Sequence, residues 1–235
     1  MKAREFNCVV RSKRMLTPTV FEICFDTNEP VEFQAGQFIS IVIPGAGPKG
    51  RDLRRAYSIA SAPEVRPVEL CVKLVEGGPG TNYLCTLNAG DTFKGWAPYG
   101  DFVYEAKQGR QACFIATGTG VAPFRSMVLS NSYKTQPASK AWCLLGVRTE
   151  EELLYMEEMG ALNGVQWVTT VSQPKGDYRG FKGRVTDYIR SLGDGYAWTN
   201  TDFYLCGNGE MIKEIKEILA ARGVDKDSIH QEKYY

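Results

Sequence analysis

Thr117-Gly118-Thr119-Gly120-Val121-Ala122-Pro123 follows the apolar run Phe114-Ile115-Ala116 and leads into a helical pattern. Glycines at such a turn let the backbone approach a pyrophosphate, and the following helix offers unpaired N–H groups and the positive end of its dipole. Pro123 stands where the dinucleotide-binding fingerprint has its third glycine, and proline suits the first turn of a helix. A tight structural turn would carry the same residues. Earlier in the chain, Arg55-Ala56-Tyr57-Ser58 precedes an apolar strand. It supplies a guanidinium for a pyrophosphate, a ring to stack on a flavin and a hydroxyl to bond a flavin nitrogen; read alone it is equally a strand start. Cys206-Gly207-Asn208 closes an expected strand and opens the last amphipathic helix. Ligands of open parallel sheets bind beyond the carboxyl ends of the strands, so Cys206 falls where a nicotinamide could meet a flavin. Hydride transfer there needs a ring held close and oriented, not a thiolate. An ordinary buried cysteine is the alternative at that position.

Two kinds of element must position these segments. Up to about residue 104, apolar residues come in short alternating or β-branched runs punctuated by Gly and Pro, as in antiparallel strands of a barrel or sandwich. Strands are expected at 7–13, 20–25, 38–42, 56–60, 69–74 and 92–95, with a short helix at 81–87. After the polar link Lys107-Gln108-Gly109-Arg110 the pattern changes. Buried strands at 112–116, 141–145, 165–171 and 202–205 alternate with helices at 123–129, 150–159, 185–191 and 210–222, which argues for a parallel sheet covered on both faces. The last helix sets Met211, Ile215, Ile218 and Leu219 against Lys213, Glu214, Lys216 and Glu217. The expected fold is an α+β two-domain chain: an N-terminal antiparallel β-barrel over 1–106, then a C-terminal α/β parallel-sheet nucleotide-binding domain over 107–235.

Length and composition agree with two ordinary globular domains. The 235 residues carry 28 Lys and Arg against 27 Asp and Glu. No long run of one sign argues for nucleic acid or a membrane surface. The first ten residues include Lys2, Arg4 and Glu5 and have no apolar core, so no secretory signal is expected, and no apolar stretch approaches a bilayer's thickness. Seven cysteines spread singly point to free thiols in a reducing compartment, the cytoplasm. None has zinc or plant-type iron–sulfur spacing, so any one-electron centre is expected on another chain. His230, the one histidine, has no partner motif for a catalytic triad or a metal site.

Five motifs in order, Gly36-Gln37-Phe38, Arg55-Ala56-Tyr57-Ser58, Gly80-Thr81-Asn82, Gly118-Thr119-Gly120-Val121-Ala122-Pro123 and Cys206-Gly207-Asn208, make the chain resemble the ferredoxin–NADP reductase superfamily over nearly its whole length. Its layout is most similar to the plant-type and bacterial members. The resemblance implies an FAD-dependent oxidoreductase using NADP(H) or NAD(H) that exchanges electrons singly with ferredoxin or flavodoxin. The alternative is the NADH-dependent reductase component of an oxygenase or related multicomponent system.

By that resemblance Arg55 binds the FAD pyrophosphate, Ala56 belongs to the cofactor site, Tyr57 faces the isoalloxazine, Ser58 bonds its N5 region, and Val72 and Lys73 line the ring. Gly80, Thr81 and Asn82 cap the phosphates; the free N–H groups of a helix starting near Thr81 can cradle the same anion as Arg55. Gly36 and Gln37 are expected to serve a turn into a strand. The family's C-terminal aromatic, which stacks on flavin until the nucleotide displaces it, is matched by Tyr234 or Tyr235. Glu232 resembles an acidic residue that relays a proton through Ser58, though an exposed carboxylate reads the same way. For a 2′-phosphate, Arg148 and Ser172 are in place, Gln173 stands where NADPH-specific relatives carry arginine, and Lys175, Arg179 and Arg184 lie near in sequence. Basic clusters at Arg11, Lys13 and Arg14 and at Lys49, Arg51 and Arg54 suit an acidic carrier, or are solvated loop charges.

Overall fold

In Phe38-Ile39-Ser40-Ile41-Val42-Ile43 the side chains of Ile39, Ile41 and Ile43 are buried while Phe38, Ser40 and Val42 are less covered, the period-two pattern of a strand with one face on a core. Six such strands build the first unit: β1 (Arg4–Thr17), β2 (Val20–Thr27), β3 (Phe38–Ile43), β4 (Leu53–Ser58), β5 (Val68–Lys73) and β6 (Thr92–Tyr99). They pair antiparallel in the order β4-β3-β6-β1-β2-β5. This computed structural model describes residues 2–234, and it divides into two compact units, one holding the chain to residue 104 with 125–131, the other 105–124 with 132–235.

The interior of the first unit holds Phe6, Cys8, Phe21, Phe25, Ile41 and Leu70 among others, with Phe25 and Phe93 meeting edge to face. β1 runs beyond the expected 7–13 because irregularities at Val10/Ser12 and Met15/Thr17 let a 14-residue strand keep pairing while it bends. β4 begins three residues earlier than expected, so Arg55 lies within it and Ile59 and Ala60 leave it. Both terminal strands of the sheet order meet at a single bridge, Ile59↔Leu70, next to a bond from Ala60 N to Glu69 O of 2.8 Å. α1 (Pro79–Thr86) follows β5. On the outer side of β5, the buried Arg125 donates to Glu69 at 2.6 Å and to Ala60 O at 2.9 Å, and the Ser126 hydroxyl to Ser61 O at 2.7 Å.

The second unit is a parallel sheet in the order β10-β9-β8-β7-β11-β12, from β7 (Gln111–Thr117), β8 (Ala141–Val147), β9 (Val165–Val171), β10 (Phe181–Lys182), β11 (Thr201–Asn208) and β12 (Ile229–Tyr234). The helices are α2 (Val121–Leu129), which passes into the first unit at Arg125, α3 (Asn131–Thr135), α4 (Met156–Gly160), α5 (Val185–Ser191) and α6 (Gly209–Ala221). Near-continuous burial along β7 and β11 is what a sheet covered on both faces demands. α6 buries Met211, Ile212, Ile215 and Leu219, and its N-cap Asn208 accepts from Glu210 N at 2.7 Å. At the opposite end of the strands the buried Asp202 accepts from Arg110 Nε at 2.7 Å and from Lys107 Nζ at 3.2 Å, and Arg110 also reaches Ser228 Oγ at 2.9 Å. The polar link thus ties down the first residues of β11.

Two expectations are corrected. The helix expected over 150–159 is broken: a 3₁₀ turn covers Glu150–Glu152, Tyr155 is left-handed at φ 54°, and only Met156–Gly160 is α-helical. The carboxylates of Glu150 and Glu152 are drawn to main-chain N–H groups outside the would-be helix, at Lys175 and Arg148. The expected elements stop at the helix over 210–222, whereas the C-terminal residues add a further strand. Through Tyr234 they make β12, which pairs parallel with β11 and covers an edge whose N–H and C=O groups would otherwise lack partners. Among the described residues no helix is long and apolar enough to cross a membrane.

Candidate functional site

In the first unit the candidate residues converge on the open seam of the barrel. β4 and β5 touch at Ile59↔Leu70, and among the described residues no ladder joins them on the side of Tyr57, Ser58, Val72 and Lys73. Two strand edges therefore diverge from one point, leaving main-chain groups for a planar ligand between them. Ser58 is buried at this point; Arg55 and Ala56 are exposed further along β4. The Val72 side chain belongs to the barrel core, so only its main chain faces the seam, and Lys73 is exposed at the end of β5. The first turn of α1 closes the far end. A Cβ on Gly80 would lie 2.5 Å from Tyr57 Oη and 3.0 Å from Arg55 Cγ, so Tyr57 and Arg55 pack against a helix start that only glycine permits. Thr81 is half-buried and its hydroxyl accepts from Val75 N at 3.2 Å, while Asn82 is exposed. Burial pushes the Tyr57 phenol up to about 12, with Arg55 opposing, so the ring stays neutral. A cationic side chain, free helix N–H groups and a seam beside a neutral aromatic ring and a buried hydroxyl fit a flavin with a pyrophosphate.

Gly36 and Gln37 make the turn that feeds β3. Gly36 has φ +101°, a Cβ there would meet Phe102 O at 2.1 Å, and Gln37 Nε2 donates to Gly100 O at 2.7 Å. The cluster Arg11, Lys13 and Arg14 is used internally. Arg11 pairs with Asp26, Arg14 with Glu22 at 2.8 Å, and the Lys13 ammonium donates to the carbonyls of Cys85 and Leu87. Arg54 stacks on Trp96 and Tyr99 and donates to Ser40 Oγ at 3.1 Å.

In the second unit the sheet's carboxyl end holds the other candidates. Thr117 ends β7, Gly118–Gly120 form a 3₁₀ turn, and Val121 and Pro123 lie buried in the first turn of α2. Gly118 has φ +51° with nothing within 4 Å of a would-be Cβ, the open approach a phosphate needs; Thr119 between the glycines is half-buried. Gly120 is packed instead, its would-be Cβ 2.3 Å from Cys206 O. Cys206 is fully buried and stands in register with Glu232 on β12, as Asn208 does with Tyr234. Burial, then the Glu232 charge, hold the Cys206 thiol well above its ordinary range, against a hydrogen bond with Tyr234. It is therefore a neutral, space-filling group. Gly207 follows at φ +131°. Tyr235 lies outside the described residues.

Beyond β8 and β9, two loops are stitched together. Gln173 N donates to Arg148 O at 2.7 Å and Ser172 N to Val147 O at 3.1 Å, bringing Arg148, Ser172 and Gln173 side by side. Sequence reasoning missed the residue that secures them. The Glu150 carboxylate accepts from Lys175 N at 3.1 Å and Gly176 N at 3.4 Å, and hydrogen bonds from its own backbone and Lys175 lower its pKa. Glu152 accepts from Arg148 N at 2.9 Å, and the Lys175 ammonium pairs with Glu151 at 3.7 Å. Arg184 is exposed at the N-cap of α5, bonded through its main chain to Asp187. His230 stacks on Tyr204 at 4.6 Å, and among the described residues no group of His, Cys, Asp and Glu could hold a metal ion.

Residues 7–104 match the oxidoreductase FAD-binding domain and residues 114–217 the oxidoreductase NAD-binding domain. The chain belongs to the ferredoxin–NADP reductase superfamily of FAD- and NAD(P)-binding oxidoreductases. It is an FAD-dependent NAD(P)H oxidoreductase. Ferredoxin–NADP reductase B of Sorangium cellulosum is 33% identical, the match covering 100% of this chain and 99% of that one. The reductase component of phenol 2-monooxygenase from a Pseudomonas strain is 31% identical over 98% of this chain and 66% of its own. In fold, the chain is similar to a ferredoxin NADP+ reductase from Neisseria gonorrhoeae solved with bound FAD and NADP, at TM-score 0.83 and 22% identity, covering 100% of both chains.

Proposed function

We propose that this protein is a ferredoxin– or flavodoxin–NADP(+) reductase, its FAD-binding part ending at residue 106 and its NAD(P)-binding part beginning at 107. The observation that carries the reading is the pair of complementary sites: a barrel seam flanked by Arg55, Tyr57, Ser58 and the start of α1, and a glycine turn packed on a buried, neutral Cys206. Full-length similarity to a ferredoxin–NADP reductase supports it.

Bound FAD supplies the conversion between a two-electron hydride and single electrons. The chain's own groups bind and orient. Arg55 and the free first-turn N–H groups of α1, at Gly80 and Thr81, neutralise the FAD pyrophosphate, with the exposed Asn82 side chain beside them while its N–H donates to Gly78 O at 3.0 Å. Ala56, Tyr57, Val72 and Lys73 border the ring, and the buried Ser58 hydroxyl is held at its N5 edge. Gly118, Thr119, Gly120, Val121 and Pro123 receive the pyrophosphate of the nicotinamide nucleotide, with Thr117 at their head. Arg148, Ser172, Gln173 and Arg184 meet its adenosine end. Cys206 and Gly207 form the wall that keeps the nicotinamide close, Tyr234 or Tyr235 covers the flavin in the absence of nucleotide, and Glu232 holds a proton that can pass to Ser58. Single cysteines spread along the chain fit a reducing compartment such as the cytoplasm.

The second reading, an NADH-dependent reductase component of an oxygenase system, is favoured by the similarity to the phenol 2-monooxygenase component and by Glu150, Glu151 and Glu152 at the adenosine end, where they oppose a 2′-phosphate. Anaerobic stopped-flow of the FAD-reconstituted protein separates the two. Faster flavin bleaching by NADPH than NADH, with reoxidation by ferredoxin or flavodoxin, is the expected result. Preference for NADH without response to either carrier selects the second reading, and failure of both nucleotides to bleach the flavin refutes both.

A further inference from the structure

We infer that Thr117 is a positioning residue: its hydroxyl fixes the Cys206–Gly207–Asn208 turn, and thereby the wall that orients the nicotinamide, rather than touching the nucleotide. The inference rests on the proposed function for what the wall does, but on geometry alone for what holds it. The ladder between β7 and β11 ends at the pair Ala116↔Cys206. Past that pair β7 turns into the 3₁₀ segment, and the Thr117 side chain holds the end of β11: its Oγ1 accepts from Asn208 N at 2.9 Å. The same oxygen decides the residue at 207. A Cβ there would lie 2.2 Å from Thr117 Oγ1, 3.0 Å from its carbonyl oxygen and 3.1 Å from its nitrogen, and φ is +131°. Position 207 is therefore closed to a side chain both by its conformation and by the threonine beside it. From below, Gly120 lets the turn come within 2.3 Å of its own would-be Cβ. The turn is gripped on two sides, and one of the grips is a single hydroxyl whose oxygen accepts from Asn208 N.

A buried, neutral thiol contributes shape alone, and shape matters only if it is held in place. Misplacing a reacting ring by a fraction of an ångström costs rate more than affinity, because affinity is spread over the whole dinucleotide. Thr117→Val keeps the volume and removes the acceptor; Thr117→Ser keeps the acceptor. In the FAD-loaded protein, Thr117→Val is expected to lower the limiting rate of flavin reduction about tenfold. The dissociation constant for oxidised nucleotide, read from the flavin difference spectrum, should stay within about twofold. Hydrogen exchange provides a readout independent of activity: the Asn208 amide is protected in the wild type, loses protection in Thr117→Val and regains it in Thr117→Ser, which also restores the rate. A raised dissociation constant with an unchanged limiting rate would make Thr117 a direct nucleotide contact and overturn the inference. So would an unprotected Asn208 amide in the wild type, a result that does not depend on the variants folding. Failure of Thr117→Ser to restore protection also sinks it. If instead the wild-type flavin is not reduced by either nucleotide, the functional reading fails while the exchange result still judges the grip.

Discussion

The barrel seam and the carboxyl end of the parallel sheet solve opposite problems with the same backbone groups. At the seam, the chain just past β4 is bridged to β5 once, at Ile59↔Leu70, and among the described residues no ladder joins the two strands themselves. At the sheet end, β7 and β11 stay paired through Ala116↔Cys206 and are then locked further by Thr117 and Gly120. A gap made from omitted ladder bonds leaves polar groups that a ligand can satisfy. A turn with two glycines pressed on main-chain atoms has nothing left to give, and serves as a fixed surface. The close approaches differ accordingly: Gly80 is crowded by the side-chain atoms of Tyr57 and Arg55, Gly120 by the carbonyl of Cys206.

This difference predicts unequal responses to the same chemical change. Gly120→Ala is expected to have the largest effect, because a methyl 2.3 Å from a main-chain oxygen can be relieved only by moving β11. Overpacking typically costs about 1–3 kcal/mol and more when backbone must shift, so a loss of about 3 kcal/mol is expected by urea denaturation. A variant as stable as the wild type would show the sheet end to be looser than it looks. Gly80→Ala comes next and acts differently. Tyr57 and Arg55 can swing aside, so the apo fold survives, but the groups that meet FAD are displaced, and the FAD dissociation constant should rise roughly tenfold, equivalent to about 1.4 kcal/mol. Fluorescence titration of the apoprotein measures it; unchanged FAD affinity with a collapsed melting temperature would reverse the contrast between the two sites.

Two strand-ending motifs were legible because each sits where a change of period meets glycine, Gly118–Pro123 after Phe114–Ala116 and Cys206–Asn208 before α6, whereas Arg55–Ser58 has no glycine and was legible only beside the other motifs. β12 was not legible. Ile229-His230-Gln231-Glu232-Lys233-Tyr234 has no apolar run, because an edge strand needs to bury little and its pairing with β11 is a main-chain matter. The break at 153–155 was hidden for another reason. Thr149-Glu150-Glu151-Glu152 has the S/T-x-x-E form of a helix start, yet Thr149 makes no cap, and Glu150 and Glu152 spend their carboxylates on Lys175 and Arg148. Local pattern cannot show an acceptor whose donor lies 25 residues away. The same limit concealed the seam, since a ladder that stops is invisible in the two strands taken singly.

The smallest effect concerns β12, the strand that completes the rigid sheet. His230 stacks on Tyr204 with its Nε2 buried, and burial lowers its pKa, with the Lys107 charge acting the same way and Glu105 and Asp202 opposing. A base whose pKa is lower in the folded state is protonated first in the unfolded chain. Its contribution to stability is therefore fully present above the unfolded value near 6.5 and is lost as the pH falls through the folded value. His230→Phe retains an aromatic ring against Tyr204 and removes the titration. Between pH 7.5 and pH 5 the variant should lose less of its melting temperature than the wild type, the difference appearing only below about pH 6.5. Parallel acid-side slopes in the two proteins would mean that His230 titrates alike folded and unfolded, and that β12 frays from β11 well before the sheet melts. Such fraying would set the edge of the sheet apart from its rigid centre, and would bring the end of the second unit closer in character to the open seam of the first.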